Sequence, residues 1–449
     1  MKEFNFEKLP IVEIANEIII DAVNKGASDI HFDPSKDSLK IRFRIDGILS
    51  DYSIVPSKYK RNMISRIKMI AGMNIMETRL PQDGAIKSKI GDRLLDLRVS
   101  TLPTNNAEKI VIRILDYSMS LAGLDNLGFS KDAMEKINKL IRIPNGIILV
   151  TGATGTGKST TLYSILQKLN TEEVNIITVE DPVEMDIAGI NQVQTQTEIG
   201  LTFATILRSI LRQDPNIIMI GEIRDDETAR IAVRASITGH LVLSTLHTNN
   251  SLNTIERLTD MDVERYLLGS SLEGIISQRL ARKLCPNCMI KRQTTEYEKQ
   301  VFKTVIGKDI NEMYVANKEG CPRCNHGYRG RLAILEVLIM NEKIKDAITN
   351  NAPKHVLRDL VYTGEVVTLL QDGLNKVVEG ETSFEEILKI VDLENDMTAY
   401  KDDNLVANLK MAQKAHSIKE TPQQSTPQVT QQVQQINNQI PNNVETVEF

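Results

Sequence analysis

A glycine-rich segment at residues 152–159 has the residue types and spacing of a phosphate-binding loop. It reads Gly-Ala-Thr-Gly-Thr-Gly-Lys-Ser, follows an apolar run at 146–151, and is followed by apolar residues at helical spacing. Glycines let backbone N–H groups turn towards phosphate oxygens, and the start of a helix adds positive potential. The segment predicts a nucleoside triphosphate site, with Lys158 on the β- and γ-phosphates and Ser159 on Mg²⁺; a chance glycine-rich turn is the alternative. The predicted ligands are Gly152, Ala153, Thr154, Gly155, Thr156, Gly157, Lys158, Ser159 and Thr160.

Two acidic clusters follow later apolar runs. Glu180 lies in the cluster 178–184, and Glu222 lies in the cluster 221–225. Catalytic groups of open α/β sheets usually stand at such strand ends, and a triphosphatase needs an acid near Mg²⁺ and a group that orients water. Either cluster alone could equally be a solvated helix cap or loop acid. Both clusters after one phosphate loop favour catalysis.

Two of the six histidines, His240 and His247, lie in the segment 238–248. A lone histidine at a strand edge is more often structural than catalytic. An imidazole there could nevertheless contact the γ-phosphate and respond to its loss. The residues alone leave both interpretations open.

The four cysteines form two Cys-x-x-Cys pairs separated by 32 residues. Two-residue spacing lets both thiolates of a pair reach one tetrahedral ion, and two pairs complete a closed site. The pattern predicts structural zinc with no open coordination position; redox thiols or unliganded core cysteines are the alternatives. The predicted ligands are Cys285, Cys288, Cys321 and Cys324.

Composition restricts the class of protein. The chain has 449 residues, a net charge of −5, 4% aromatic residues and no tryptophan. Neither this charge nor this aromatic content suggests binding to nucleic acid. The N-terminus shows no secretory signal, and no apolar run approaches the ~20 residues that span a bilayer. We therefore expect a cytoplasmic protein without disulfides.

Two patterns of elements position these motifs. The N-terminal region combines an amphipathic helix pattern with alternating strands and an Asp46-Gly47 turn, which predicts an α+β domain. Short, almost wholly apolar strands alternate with helices after residue 129, which predicts a buried parallel sheet. The fold class is therefore α/β, with a RecA-like P-loop core. The predicted units are an N-terminal α+β domain (1–118), a linker (119–128), an ATPase domain (129–340) with an inserted four-cysteine zinc subdomain (285–324), a C-terminal helical region (341–398) and a Gln/Asn-rich disordered tail (399–449).

These motifs, in this order, resemble those of the type II secretion and type IV pilus assembly ATPases. The resemblance covers residues from about 10 to 395, and the cysteine element resembles that of assembly and secretion ATPases, whereas retraction ATPases generally lack it. The family's first N-terminal domain, which docks to a membrane platform, has no counterpart, so we expect the chain to start with the second. The N-terminal motifs that carry the resemblance are 27–32 (Ala-Ser-Asp-Ile-His-Phe), 42–47 (Arg-Phe-Arg-Ile-Asp-Gly), 79–84 (Arg-Leu-Pro-Gln-Asp-Gly) and 96–101 (Asp-Leu-Arg-Val-Ser-Thr).

The resemblance implies a homo-hexameric ATPase that uses ATP and Mg²⁺ to drive pilin or pseudopilin assembly. It would work with an inner-membrane platform protein at the cytoplasmic face, and it would associate with the membrane only through partners. The family's Walker B glutamate falls on Glu222, its Asp-box acid on Glu180 and its histidine-box residue on His247. Its N-terminal arginines fall on Arg98 and Arg113, where residues alone would favour the exposed face of alternating strands. An arginine delivered from a separate domain would couple charge stabilisation to domain closure.

Three other functions are weighed against this interpretation. Within the class, the protein could be a pilus retraction motor or a competence-pilus motor. A nucleic-acid translocase with zinc knuckles belongs to a different class, and the composition argues against it. A scaffold without activity conflicts with the intact phosphate-loop lysine and the strand-end glutamate.

Overall fold

The computed structural model describes residues 1–90, 93–116, 123–362 and 365–391. The predicted tail at 399–449, residues 392–398 of the C-terminal region and residues 119–122 of the predicted linker lie outside the described residues. Within the described part of the chain, no helix combines the length and the apolar character needed to cross a membrane.

The N-terminal region is a six-stranded antiparallel sheet in the order β3-β2-β1-β6-β5-β4. Alternate residues of its strands are buried, and they form one core with the two helices that cover that face. The opposite face therefore receives the polar residues of the same strands. The elements are α1 (Ile11–Asn24), β1 (Ala27–Pro34), β2 (Ser38–Ile45), β3 (Ile48–Pro56), α2 (Ser57–Ile70), β4 (Gln82–Ile90), β5 (Arg93–Thr104) and β6 (Ala107–Asp116).

A seven-stranded sheet in the order β15-β12-β7-β11-β10-β8-β9 forms the centre of the next region. The strands β12, β7, β11, β10, β8 and β9 run parallel to their neighbours, and only β15 pairs antiparallel, with β12. The predicted parallel sheet and the α/β fold class are confirmed. The strands are β7 (Gly146–Thr151), β8 (Ile176–Glu180), β9 (Asn191–Gln194), β10 (Ile217–Ile220), β11 (Leu241–Leu246), β12 (Leu272–Leu284) and β15 (Tyr328–Ile339).

Every residue of β7, β8, β10 and β11 is buried. Helices cover both faces, so Ile148 and Val150 join one core while Ile147 and Leu149 join the other. This arrangement explains the continuous apolar runs in the sequence. The helices of this region are α3 (Lys131–Leu140), α4 (Lys158–Leu169), α5 (Phe203–Ile210), α6 (Asp226–Ile237), α7 (Ser251–Asp260) and α8 (Arg265–Ser271), with short 3₁₀ turns at Leu124–Asn126 and Thr197–Ile199.

Val174 lies in the apolar segment that leads into β8, but the strand itself begins two residues later, at Ile176. The backbone N–H of Val174 donates to Thr171 in a turn, at 3.2 Å, so this apolar residue lies outside the ladder. The strand extends through Glu180, which is consequently its last residue and not part of the following loop.

The cysteine-bearing segment 285–324 lies between β12 and β15, which pair antiparallel up to Leu284 opposite Tyr328. It contains an antiparallel pair of short strands with a helix between them, and it packs with the last helices around a separate core. The remaining elements are β13 (Ile290–Gln293), α9 (Glu296–Ile306), β14 (Glu312–Val315), α10 (Glu342–Thr349), α11 (Lys354–Tyr362), α12 (Leu369–Val378) and α13 (Phe384–Ile390).

Candidate functional site

The glycine-rich loop joins β7 to α4, which is the context that the sequence predicts. Gly157 has a φ of 87° and immediately precedes α4. A Cβ on Gly152 would lie 2.5 Å from the carbonyl oxygen of Gln278. Only glycine fits this close approach, and its lack of a side chain lets the loop pack directly against β12. Residues 153–155 and Ser159 are exposed at its outer surface, where a ligand can reach them.

Lys158 is the first residue of α4, and its ammonium folds back over the loop. Its Nζ donates to the carbonyl oxygens of Gly152 at 2.9 Å and Ala153 at 3.0 Å. Burial lowers the pKa of Lys158, Glu222 opposes the shift and Arg279 adds to it. The Lys158 ammonium is therefore hydrogen-bonded to carbonyl oxygens of the loop. Oxygens of a bound phosphate can replace these carbonyl oxygens as acceptors.

The sequence analysis missed two polar residues of β12: Gln278, which supports the phosphate loop, and Arg279, which binds the segment after β11. The Nε2 of Gln278 donates to the carbonyl oxygen of Thr156 at 2.8 Å, and its Oε1 accepts from Thr161 at 2.8 Å. Arg279 donates to the backbone and side-chain oxygens of Asn249, both at 3.1 Å. The only signal for them is a run of three polar residues, 277–279, in the middle of β12.

Glu222 immediately follows Gly221 at the end of β10. Its Oε1 accepts a hydrogen bond from Arg224 Nη2, and its Oε2 lies 3.4 Å from His247 Nε2. Arg224 also contacts Asp181 at 3.3 Å, so its guanidinium bridges the two acidic clusters. The structure thus brings Glu222 and His247 together, because they follow the ends of the neighbouring parallel strands β10 and β11.

Two opposing effects set the ionisation of Glu222. Burial acts to raise its pKa, but the hydrogen bond and charge of Arg224, together with His247, outweigh this effect and lower the pKa of Glu222. The carboxylate is therefore ionised at neutral pH. Asp225 of the same cluster has a different role, because it caps α6 by accepting from Thr228 N at 2.8 Å.

Glu180 is 3% exposed, which rules out a solvated loop acid at this position. Its Oε1 accepts from Thr178 at 2.6 Å and from Gln192 at 3.0 Å, and its Oε2 accepts from the hydroxyl of Tyr163. Protein donors thus engage both carboxylate oxygens. The catalytic role of Glu180 remains a prediction.

Arg98 reaches from the N-terminal sheet to the ATPase region. Its Nη2 lies 2.8 Å from Glu184 Oε2 and donates to the carbonyl oxygen of Val183 at 3.3 Å. Burial raises the pKa of Glu184, and the positive charge of Arg98 opposes this rise without cancelling it. Arg98 therefore contacts the loop that directly follows Glu180.

Arg113 stands opposite Arg98 on the neighbouring strand. Its Nε donates to Asp29 Oδ1 at 3.1 Å, within the N-terminal sheet, and its side chain is 65% exposed. The two arginines share one face but have different partners. His240, the other histidine of the segment 238–248, donates from Nδ1 to the carbonyl oxygen of Ala235 at 2.8 Å, which is a structural contact.

The four cysteines converge at the end of the β12–β15 pair. The Sγ atoms of Cys285 and Cys321 are 3.8 Å apart, those of Cys288 and Cys324 are 3.6 Å apart, and all four lie within 4.8 Å of one another. Ligands at the ~2.3 Å Zn–S distance of a tetrahedral site have sulfurs ~3.8 Å apart. The donor set therefore fits a structural zinc ion.

A cleft of about 1180 Å³ opens beside the start of α4. Gly157 and Thr160 line it from the phosphate loop, Leu127 and Phe129 from the segment before α3, and Arg323 from the second cysteine pair. This volume is sufficient for a nucleotide-sized ligand. The predicted ligand roles of Thr154, Ser159 and Thr160 remain predictions.

Comparison with known proteins gives a consistent result. A family model described as "Type II/IV secretion system protein" matches residues 5–389. The chain is 44% identical over 382 residues to the type II secretion system ATPase E of Vibrio cholerae, covering 85% of this chain and 75% of that protein. It is 45% identical over 381 residues to the type IV pilus assembly ATPase PilB of Myxococcus xanthus, covering 84% and 67%.

Two solved structures have a similar fold. The pilus retraction motor PilT with bound ADP superposes with a TM-score of 0.56 at 26% identity, covering 88% of this chain and 98% of that one. The Legionella pneumophila ATPase DotB superposes with a TM-score of 0.61 at 21% identity, covering 86% and 97%.

Proposed function

The chain belongs to the type II/IV secretion system protein family, and we propose that its ATPase activity drives assembly of a type IV pilus or of a type II secretion pseudopilus. The observation that carries this proposal is the contact of Arg98, from the N-terminal sheet, with the loop after Glu180. A nucleotide site with a wall from another domain can convert turnover into domain motion. The names of the relatives supply the system in which that motion would be used.

The residues take roles that follow from their positions. The loop N–H groups and Lys158 bind the triphosphate, and Ser159 holds Mg²⁺, which would neutralise charge on the phosphates. Glu222 is ionised and lies at a strand end beside His247, so it can orient the attacking water while His247 contacts the γ-phosphate. Glu180 fixes the start of the loop that Arg98 contacts.

We infer that the working form is a homo-hexamer at the cytoplasmic face of a membrane, bound there through an inner-membrane platform protein and not to nucleic acid. The four-cysteine site would hold zinc and stiffen the insertion. This cluster favours an assembly motor over a retraction motor, since retraction ATPases of the resembled family generally lack it. Native mass spectrometry of an ATP-bound, hydrolysis-deficient variant should give a particle six times the 50.4 kDa of the chain.

The decisive experiment replaces Glu222 by glutamine in the cell and in vitro. Glu222→Gln keeps the shape of the side chain but removes its charge, so we expect ATP binding to persist, hydrolysis to fall at least 100-fold, and pili or secretion to be lost. Glu256→Gln, at an exposed pair with Lys354, is the matched control and should leave all three unchanged. Normal filaments or secretion in a hydrolysis-deficient Glu222→Gln strain would refute the proposal.

A retraction or competence-pilus motor is the second candidate, favoured by the structural similarity to PilT. Cells without the protein distinguish the two functions. Loss of an assembly motor removes filaments, whereas loss of a retraction motor leaves cells hyperpiliated, and a competence motor leaves them transformation-deficient.

A further inference from the structure

Tyr163 lies on the phosphate-loop helix and joins two groups of the candidate site. It is five residues after Lys158 on α4 and is 2% exposed. Its hydroxyl donates to Glu180 Oε2 and accepts from the backbone N–H of Glu184 at 3.1 Å. One hydroxyl therefore connects the helix to the strand-end carboxylate and to the loop behind it.

The hydroxyl has a fixed role as a donor to Glu180. Burial raises the pKa of Tyr163, and the neighbouring Glu180 raises it further, so the phenol stays protonated at neutral pH. With its proton committed to Glu180, the oxygen is left to accept from Glu184 N. The direction of both hydrogen bonds is thus determined.

The loop 181–184 is held from two sides. Tyr163 contacts it at the backbone of Glu184, and Arg98 contacts it at the carboxylate of Glu184 and at the carbonyl oxygen of Val183. Gln194 Oε1 adds a bond from Val183 N at 3.3 Å. Because these hydrogen bonds and the ion pair hold the segment from both sides, we expect it to move as a unit.

We propose that Tyr163 is a positioning residue that couples the N-terminal domain to the phosphate-loop helix, through the loop 181–184 and the carboxylate of Glu180. A shift of Arg98 pulls on Glu184, and the hydroxyl of Tyr163 passes this displacement to α4, which carries Lys158. This inference rests on the proposed nucleotide site. It adds a residue that neither binds nucleotide nor belongs to a predicted motif.

The variant Tyr163→Phe removes only the hydroxyl. Because the loop glycines and Lys158 are unchanged, we expect the KM for ATP to stay within about twofold while kcat falls about tenfold or more. The matched control is Tyr52→Phe, since the Tyr52 hydroxyl also donates to a carboxylate, Asp21 at 2.6 Å, but within the N-terminal domain. The control tests whether loss of a buried hydroxyl alone lowers turnover, and its kcat should equal that of the wild type.

A double-mutant cycle distinguishes coupling from simple damage. If the loop transmits displacement, Tyr163→Phe and Glu184→Gln interrupt the same connection, and together they should lower kcat little more than either does alone. A Tyr163→Phe protein with wild-type kcat, or a double variant whose loss equals the product of the two single losses, would overturn the inference. Normal filaments or secretion in the hydrolysis-deficient Glu222→Gln strain would instead refute the proposed function, so the two failures are distinguishable.

Discussion

At the scale of single residues, the strand-end glutamate Glu222 depends chiefly on one neighbour, Arg224, for its charge. Glu222 is partly buried, which alone would favour its neutral form, and Arg224 reverses this preference through a direct hydrogen bond. Arg224 itself is exposed and also contacts Asp181. The residue that controls the ionisation of the candidate catalytic acid is therefore accessible from outside the site.

Replacing Arg224 by glutamine should shift the pH dependence of ATP hydrolysis. The pKa of Glu222 is lowered in the native protein, so the carboxylate stays charged as the pH falls below its ordinary range. Without Arg224, the opposition to burial is reduced to that of His247 and the pKa of Glu222 rises, so activity should be lost at a higher pH on the acidic side. The measurement is kcat against pH, with Arg358→Gln on α11 as the matched control. Superimposable profiles of Arg224→Gln and the wild type would contradict this account.

Residues of the site differ in how far the sequence could predict them. Gly152, Lys158 and Glu222 stand in local patterns, and the structure places them on the predicted loop and strand end. Gln278 comes from a strand more than a hundred residues later, and no local pattern links it to the loop that it supports. Tyr163 was hidden for another reason, because a tyrosine inside an apolar helix face normally indicates packing.

At the scale of elements, an antiparallel strand pair brings the cysteines together. Cys285 directly follows β12, and its N–H donates to Gly327, which directly precedes β15, at 2.9 Å. The first Cys-x-x-Cys pair therefore follows the end of β12 and the second precedes the start of β15, at the same end of this strand pair. The long separation in sequence is the length of the strand–helix–strand insertion, which leaves and returns at one point.

A single cysteine replacement should release the ion and loosen the insertion only. Cys321→Ser removes one of four ligands, so we expect zinc content to fall from one per chain to less than half, and limited proteolysis to cut within 285–324. The ATPase sheet should keep its circular dichroism, because its cores do not include the cysteine loops. Pro322→Ala alters the same turn without removing a thiolate and is the control. Full zinc content in Cys321→Ser would exclude a four-cysteine site.

The sequence could predict the tetrahedral cluster but not its support. Two-residue spacing identifies each pair of ligands, whereas the pairing of β12 with β15 is a long-range contact between two largely buried strands. The apolar residues of such strands specify burial without specifying a neighbour. The antiparallel direction of β15 in a parallel sheet was likewise not predicted, for the same reason.

At the scale of the whole molecule, polar contacts of Arg98 and of Asp46 join the N-terminal sheet to the ATPase region at different places. Arg98 pairs with Glu184 beside the strand-end acids. Asp46, at the β2–β3 turn, accepts from the backbone N–H of Gly330 on β15 at 3.1 Å. The first contact reaches the loop that follows a candidate catalytic residue, and the second reaches a strand next to the cysteine site.

Comparing these two contacts tests whether the N-terminal domain acts on catalysis at one place. Arg98→Gln removes a charge that holds the loop 181–184, so kcat should fall at least tenfold, while the Kd for a fluorescent ATP analogue should change less than about threefold because the phosphate loop is intact. Asp46→Asn also weakens an interdomain contact, but kcat should stay within about twofold, because Asp46 lines the cleft from the side of β15 and its interdomain hydrogen bond goes to Gly330 and not to the loop 181–184. Equal losses in the two variants would mean that catalysis depends on domain attachment in general and not on the Arg98 contact.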